Sequence, residues 1–83
     1  MEYLYLNVGK TARVVTKLAF LRRLSAEERI TIRNSADPIV IDFLYMLELA
    51  GEVDLDDPDT SNGLLYLTSI GLLAEGRAAE ILA

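Results

Sequence analysis

The pattern of apolar and polar positions between residues 11 and 24 predicts a helix. Two apolar stripes recur there at helical spacing, one formed by Val14, Leu18 and Leu21 and the other by Phe20 and Leu24. Basic side chains surround both stripes. We expect the stripes to pack in the core with the cations in solvent. The alternative is a basic amphipathic helix that binds a membrane surface or an acidic groove.

Start signals mark the next helices. Ser25 and Glu28 fit a capping box, in which the hydroxyl and the carboxylate each accept a free backbone N–H, and they predict a helix over about 26–35. Asp37-Pro38 and Asp57-Pro58 each place an N-cap carboxylate before a proline that suits the first helical turn.

Two glycines supply the matching stop signals. Gly51 and Gly71 lie 20 positions apart, as do the two Asp-Pro pairs, and each glycine suits a left-handed position after a helix. We therefore predict helices near 38–50 and 58–70. A last short helix is predicted over 75–82, with Ala78, Ile81 and Leu82 facing inward.

The helix predicted over 38–50 is apolar almost all round, which is typical of a helix buried on more than one side. We expect it to be the central helix of a bundle. The alternative is an interface with a partner or a second copy, and Tyr45 and Met46 are then the candidate contact residues. Its apolar side chains are Ile39, Val40, Ile41, Phe43, Leu44, Tyr45, Met46, Leu47 and Leu49.

The N-terminal segment is aromatic and apolar and is bounded by Gly9. Residues 3–8 suit either a short strand or the first turns of a helix. As an extended arm, the segment would pack on the domain or pair with another protein. We accordingly divide the chain into an N-terminal arm over 1–10 and a helical domain over 11–83. The candidate partner contacts in the arm are Tyr3, Leu4, Tyr5 and Leu6.

Charge is distributed unevenly along the 83 residues, whose net charge is −5. Residues 1–36 hold seven basic and three acidic residues, whereas residues 37–83 hold ten acidic residues and one basic residue. The two halves either pack together and partly neutralise each other, or the basic end meets a partner or a neighbouring copy. The acidic net charge argues against binding of duplex nucleic acid. No stretch approaches a membrane span.

The residue types argue against catalysis. The chain has no His and no Cys, so it lacks the commonest general base, thiolate chemistry and the usual metal ligands. Gly9-Lys10-Thr11 resembles the end of a phosphate-binding loop, but Leu4 stands where that loop needs its first glycine. We expect neither a cofactor nor a metal site, and a paired-carboxylate enzyme is the least favoured reading.

A run of carboxylates between residues 52 and 59 is the remaining candidate site. It fails the calcium-loop frame, because the sixth position counted from Asp54 is Asp59 instead of glycine. Val53 and Leu55 alternate with the acids and are expected to face inward. We interpret the segment as a solvated acidic loop, with a weak cation site or a docking patch for a basic partner as alternatives.

Four segments together resemble a family of small proteins of tailed bacteriophages, whose genes lie among those for virion and tail components. The resemblance covers about residues 17–82, and residues 1–16 depart from it. It carries no catalytic residues. The segments are Lys-Leu-Ala-Phe-Leu-Arg-Arg-Leu-Ser-Ala-Glu-Glu-Arg-Ile-Thr-Ile-Arg (17–33), Asp-Pro-Ile-Val-Ile-Asp-Phe-Leu (37–44), Val-Asp-Leu-Asp-Asp-Pro-Asp-Thr (53–60) and Gly-Leu-Leu-Ala-Glu-Gly-Arg-Ala-Ala-Glu-Ile-Leu (71–82).

The sequence thus predicts an all-α protein, a small bundle of four to five short helices with a possible extended N-terminal arm. The resemblance implies a non-enzymatic, virion-associated structural protein that docks on a larger tail, fibre or neck component and is present in the host cytoplasm during assembly. The alternative function is a soluble assembly chaperone or adaptor that is absent from the mature particle. We expect a protein partner, with self-association as a further option, and neither nucleic acid nor membrane as a partner.

Overall fold

Helices make up most of the structure. A computed structural model describes residues 13–83, and helices account for 61% of them. The mostly helical character is therefore confirmed, although two short strands accompany the five helices. The predicted arm over 1–10 lies outside the described residues. The elements in chain order are β1 (Val14–Thr16), α1 (Lys17–Leu21), α2 (Ala26–Arg33), α3 (Pro38–Leu49), β2 (Glu52–Asp54), α4 (Pro58–Ser69) and α5 (Arg77–Leu82).

The prediction of one helix over 11–24 is wrong at both ends. Val14–Thr16 form β1, which pairs antiparallel with β2 so that Val15 lies opposite Val53. Three consecutive β-branched residues disfavour helix and suit a strand. The Thr16 hydroxyl then accepts the Ala19 N–H at 3.0 Å and begins the five-residue helix α1. With this start, Leu18 is 57% exposed instead of packing in the core.

The predicted N-caps are confirmed. Ser25 Oγ accepts the Glu28 N–H at 3.1 Å while Glu28 Oε1 accepts the Ser25 N–H at 2.8 Å, which completes the capping box of α2. The Asp37 carboxylate accepts the Ile39 N–H at 2.8 Å at the start of α3. The Asp57 carboxylate does the same for Asp59 at 2.9 Å in α4. Helices α2, α3 and α4 each end within two residues of the predicted limits.

The glycine stop signals are confirmed at one position and wrong at the other. Gly71 adopts φ +86° after α4, as a left-handed helix end requires. Gly51 has no positive φ, because the Ala50 backbone at the end of α3 is already extended and leads directly into β2. Gly76, at φ +88°, is the N-cap of α5, so the last helix begins at Arg77 and not at residue 75.

All five helices and strand β2 contribute buried residues to the core. Val53 and Leu55 are buried while the acids that alternate with them, Glu52, Asp54 and Asp56, are exposed, as the alternating pattern predicts. In the last helix, Ala78 and Ile81 are buried as predicted, and Leu82 is half-buried. The buried residues are Phe20, Leu24, Ile32, Val40, Val53, Leu55, Leu64, Leu67, Leu73, Ala78 and Ile81.

Arginine side chains fasten the C-terminal helix to the first half of the domain. Arg23 Nη1 donates to the carbonyls of Ile81 and Ala83 at 2.8 and 2.7 Å. Arg77, at the start of α5, donates to both carboxylate oxygens of Glu28. These contacts connect α5 to the end of α1 and to the first turn of α2.

Candidate protein interaction surface

Helix α3 is the most apolar of the helices within residues 13–83, yet eight of its twelve residues are exposed. Of its twelve residues only Val40 is buried. The prediction that α3 is the central, buried helix of a bundle is therefore wrong, and the alternative of an interface helix stays a prediction. Among residues 13–83, no element packs over the rest of the circumference of α3. The exposed apolar side chains are Ile39, Ile41, Tyr45, Met46 and Leu49, each between 54% and 64% accessible. We call these five residues the α3 outer face.

Polar contacts at its N-terminus hold α3 in this position. Tyr66 Oη, on α4, donates to Asp37 Oδ2 at 2.7 Å, while the other oxygen of Asp37 caps the helix. The hydrogen bond from the Tyr66 hydroxyl, joined by the backbone bonds of the cap, lowers the pKa of Asp37. The same bond raises the pKa of Tyr66. One carboxylate therefore both starts α3 and ties it to α4.

Farther along, α3 approaches α4 closely at a glycine. The Phe43 ring lies against Gly63, where a Cβ atom would overlap the ring. Phe43, Leu44 and Leu47 are half-buried and pack against the core on the inner side of α3. Only this narrow inner stripe of α3 packs against the core. A groove therefore runs along each side of the helix, between the stripe and the neighbouring elements.

The first groove runs between α3, β2 and α4 and has a volume of about 590 Å³. Its floor is apolar and includes Phe43, Leu47 and Val53, with Ile39 and Met46 along one side. No Lys or Arg of residues 13–83 lines it. We call it the acidic groove, because the charged residues that line it are Asp42, Glu52, Asp54, Asp57 and Asp59.

The second groove lies on the opposite flank of α3, against α1 and α2, with a volume of about 510 Å³. Its apolar lining includes Leu18, Leu21 and Leu44. We call it the basic groove, because Lys17, Arg29 and Arg33 line it and Glu48 is the one acid among its described lining residues.

Backbone contacts hold two of the cations of the basic groove. Lys17 Nζ donates to the Glu48 carbonyl at 2.9 Å, which links α1 to the end of α3. Arg29 Nη1 donates to the carbonyls of Leu21 and Leu24 at 3.2 and 2.8 Å. A backbone carbonyl carries no net charge. These hydrogen bonds therefore do not neutralise the positive charges of Lys17 and Arg29.

The acidic loop has structural roles that account for several of its carboxylates. Asp57 caps α4, and Asp54 Oδ1 accepts the Asp56 N–H at 2.9 Å. Asp56 in turn pairs with Arg13 Nε at 3.0 Å. Within residues 13–83, no three acidic residues converge closely enough to hold a metal ion. Four carboxylates of this segment, Glu52, Asp54, Asp57 and Asp59, thus line one side of an apolar groove.

The sequence identified part of this surface. Tyr45 and Met46 are indeed exposed, and Met46 also lines the acidic groove. The other candidate contacts, Tyr3, Leu4, Tyr5 and Leu6, lie outside the described residues. Sequence reasoning missed Ile39, Ile41 and Leu49 as exposed residues and missed both grooves. The sequence signal for these exposed residues is the apolar character of α3 all round its circumference. The sequence analysis interprets that character as burial inside the fold.

Comparison of the chain with models of known protein families, with curated proteins and with solved structures finds no match. The resemblance to tailed-phage proteins therefore stays a prediction. In the part of the chain that the structure covers, the helices are too short to cross a membrane.

Proposed function

We propose that this chain is a non-enzymatic docking protein, which binds a larger protein through the α3 outer face. The observation that carries the proposal is the exposure of five large apolar side chains on one helix. Contiguous exposed apolar patches mark interaction sites in soluble proteins. The capped and tethered start of α3 supports the same conclusion, because a rigid helix loses little conformational entropy on binding.

Partner binding would compensate for this exposure. Burial of one large aliphatic or aromatic side chain contributes about 1.5–3 kcal/mol. Five half-exposed side chains therefore offer enough apolar surface to form the centre of an interface. Tyr45 is the expected main contributor, because tyrosine is enriched among the residues that dominate binding energy.

The resemblance to tailed-phage proteins supports a more specific role. We propose that the partner is a larger virion component of the tail, fibre or neck, with Tyr3, Leu4, Tyr5 and Leu6 as additional contacts. On this proposal the chain is a structural subunit of the particle and carries no cofactor. The alternative, an assembly chaperone or adaptor, would use the same face but leave before the particle is complete.

Quantitative mass spectrometry of purified particles tests the proposal. Particles from a phage that encodes this chain should contain it at a fixed ratio to the major virion proteins. A double variant of the α3 outer face, Tyr45→Lys with Met46→Lys, should be absent from particles. The matched control is Leu65→Lys, because Leu65 is equally exposed but lies on α4, outside the α3 outer face.

The outcomes separate the two roles. Retention of the double variant at the wild-type ratio would contradict docking through α3. Absence of the wild-type chain from particles, together with abundance in the lysate, would reject the virion subunit and favour the assembly adaptor. Circular dichroism of each purified variant shows that loss from particles is not loss of fold.

A further inference from the structure

The two grooves beside α3 carry opposite charge. Five carboxylates line the acidic groove, whereas Lys17, Arg29 and Arg33 line the basic groove. Both grooves have apolar floors, and both are bordered by exposed apolar residues. Leu18 lies at the basic groove, and Ile39 and Met46 lie at the acidic groove.

Most of this charge is not neutralised inside the described part of the chain. Over residues 13–83, the close ion pairs are Arg13–Asp56, Arg77–Glu28 and Arg77–Glu80. None of them involves a residue that lines either groove. Within residues 13–83, two apolar grooves of opposite charge therefore lie on opposite flanks of α3.

We propose that copies of this chain associate with one another, the basic groove of one copy facing the acidic groove of the next. Charge complementarity points to a second copy, because the chain itself supplies both members of the matching pair. Opposite charges steer such an encounter and fix its orientation. Burial of Leu18 against Ile39 and Met46 of the neighbour then adds apolar contact.

This contact joins two different surfaces, and that has a geometric consequence. One contact leaves a basic groove free at one end of the pair and an acidic groove free at the other. Further copies can add at both ends, and the rotation between neighbours decides whether they form a closed ring or an open filament. The association shares Ile39 and Met46 with the α3 outer face, but its test is separate from that of the docking function because it uses the purified chain without a partner.

Sedimentation velocity of the purified full-length chain over a range of concentrations tests the proposal. The monomer mass is 9.2 kDa, and we expect larger species whose formation weakens as salt is added. Arg33→Glu and Asp42→Lys each reverse one charge at an exposed groove residue, in α2 and α3 respectively. Each variant alone should weaken association about tenfold or more.

An equimolar mixture of the two variants is the decisive measurement. Association should return in the mixture, because the intact acidic groove of the first variant meets the intact basic groove of the second. Arg22→Glu and Glu75→Lys are the matched controls, since both residues are exposed and line neither groove. The controls should associate like the wild-type chain.

Three results would overturn the proposal. One is a wild-type chain that stays monomeric at every concentration, and another is an effect of the groove variants no larger than that of the controls. The third is a mixture that associates no better than its components. If a reversed charge reduces folding, Arg33→Ser and Asp42→Asn replace the two variants, and each alone should then associate more weakly than the wild-type chain.

Discussion

Glu28 and Arg77 form a bidentate ion pair between α2 and α5. Arg77 Nε donates to Glu28 Oε2 at 2.7 Å, and Arg77 Nη2 donates to Oε1 at 2.8 Å. The same Glu28 carboxylate closes the capping box of α2. The hydrogen bonds from Arg77, aided by that from the Ser25 backbone, lower the pKa of Glu28 from its usual 4.5 to about 2. One side chain thus joins a local helix start to a contact 49 residues away.

The Glu28–Arg77 pair predicts a pH-dependent stability. A carboxylate whose pKa is lower in the folded state stabilises fully above its unfolded pKa and loses that contribution as the pH falls. The free energy of unfolding should therefore decrease between pH 4.5 and about 2. Glu28→Gln should unfold with a free energy about 1–2 kcal/mol lower at neutral pH, and the difference should shrink toward pH 2. Urea unfolding at several pH values measures this.

Glu27→Gln is the control for this prediction. Glu27 precedes Glu28 in the same first turn and forms no ion pair within the described residues. The free energy of unfolding of Glu27→Gln should depend on pH in the same way as that of the wild-type chain. A Glu28→Gln curve parallel to the wild-type curve at every pH would contradict the linkage.

Gly63 and Phe43 should be energetically coupled. An alanine at position 63 improves helix propensity by about 1 kcal/mol but collides with the Phe43 ring, and overpacking of this kind costs about 1–3 kcal/mol. We expect Gly63→Ala to destabilise the wild-type chain and to stabilise the Phe43→Ala variant. A double-mutant cycle in urea unfolding measures the coupling, which should be about 1–2 kcal/mol. Additive effects would show that the ring moves aside at no cost.

The Tyr66 hydroxyl should hold the start of α3 in place. Tyr66→Phe removes the 2.7 Å hydrogen bond to Asp37 and leaves the aromatic ring. Amide hydrogens in the first turns of α3 should then exchange faster, with little change in α5. Hydrogen exchange followed by mass spectrometry measures the amide exchange rates in both helices. The control is Tyr45→Phe, because the Tyr45 hydroxyl has no hydrogen-bond partner among the described residues. Equal exchange rates in the two variants would contradict a stabilising role for the hydrogen bond between Tyr66 and Asp37.

Two residues of α1 should differ sharply in their contribution to stability. Phe20 is 2% exposed and Leu18 is 57% exposed, although both lie in the same five-residue helix. Phe20→Ala should lower the free energy of unfolding by about 3–5 kcal/mol, because it leaves a cavity in the core. Leu18→Ala should change it by about 0.5 kcal/mol or less. Equal losses in thermal or urea unfolding would contradict the observed burial.

The outer face of α3 should be dispensable for folding. Tyr45→Lys removes an exposed apolar residue and leaves the inner stripe of α3 intact. We expect its free energy of unfolding to remain within about 0.5 kcal/mol of the wild-type value. A larger loss in urea unfolding would show that Tyr45 stabilises the fold itself and would weaken its assignment as a contact residue.

The candidate surface was only partly predictable from the sequence. Exposure of Tyr45 and Met46 agrees with their selection as candidate contacts, yet the preferred interpretation buried α3 in the centre of a bundle. Periodicity alone does not say which helix is covered, because coverage depends on how much chain remains to pack against it. The grooves were unpredictable for the same reason, since each is lined by residues from separate elements.

The sequence by itself determined where α2, α3 and α4 begin. Ser25, Asp37 and Asp57 each cap a helix through a backbone N–H two or three residues away, so the relevant partners are always within reach. The tertiary structure alone decided that Val14–Thr16 form a strand and that α3 stays exposed. A strand needs a partner from a distant part of the chain, here Glu52–Asp54, and burial depends on the packing of every other element. Local chemistry fixes where helices begin, whereas long-range packing decides which surfaces remain to meet other molecules.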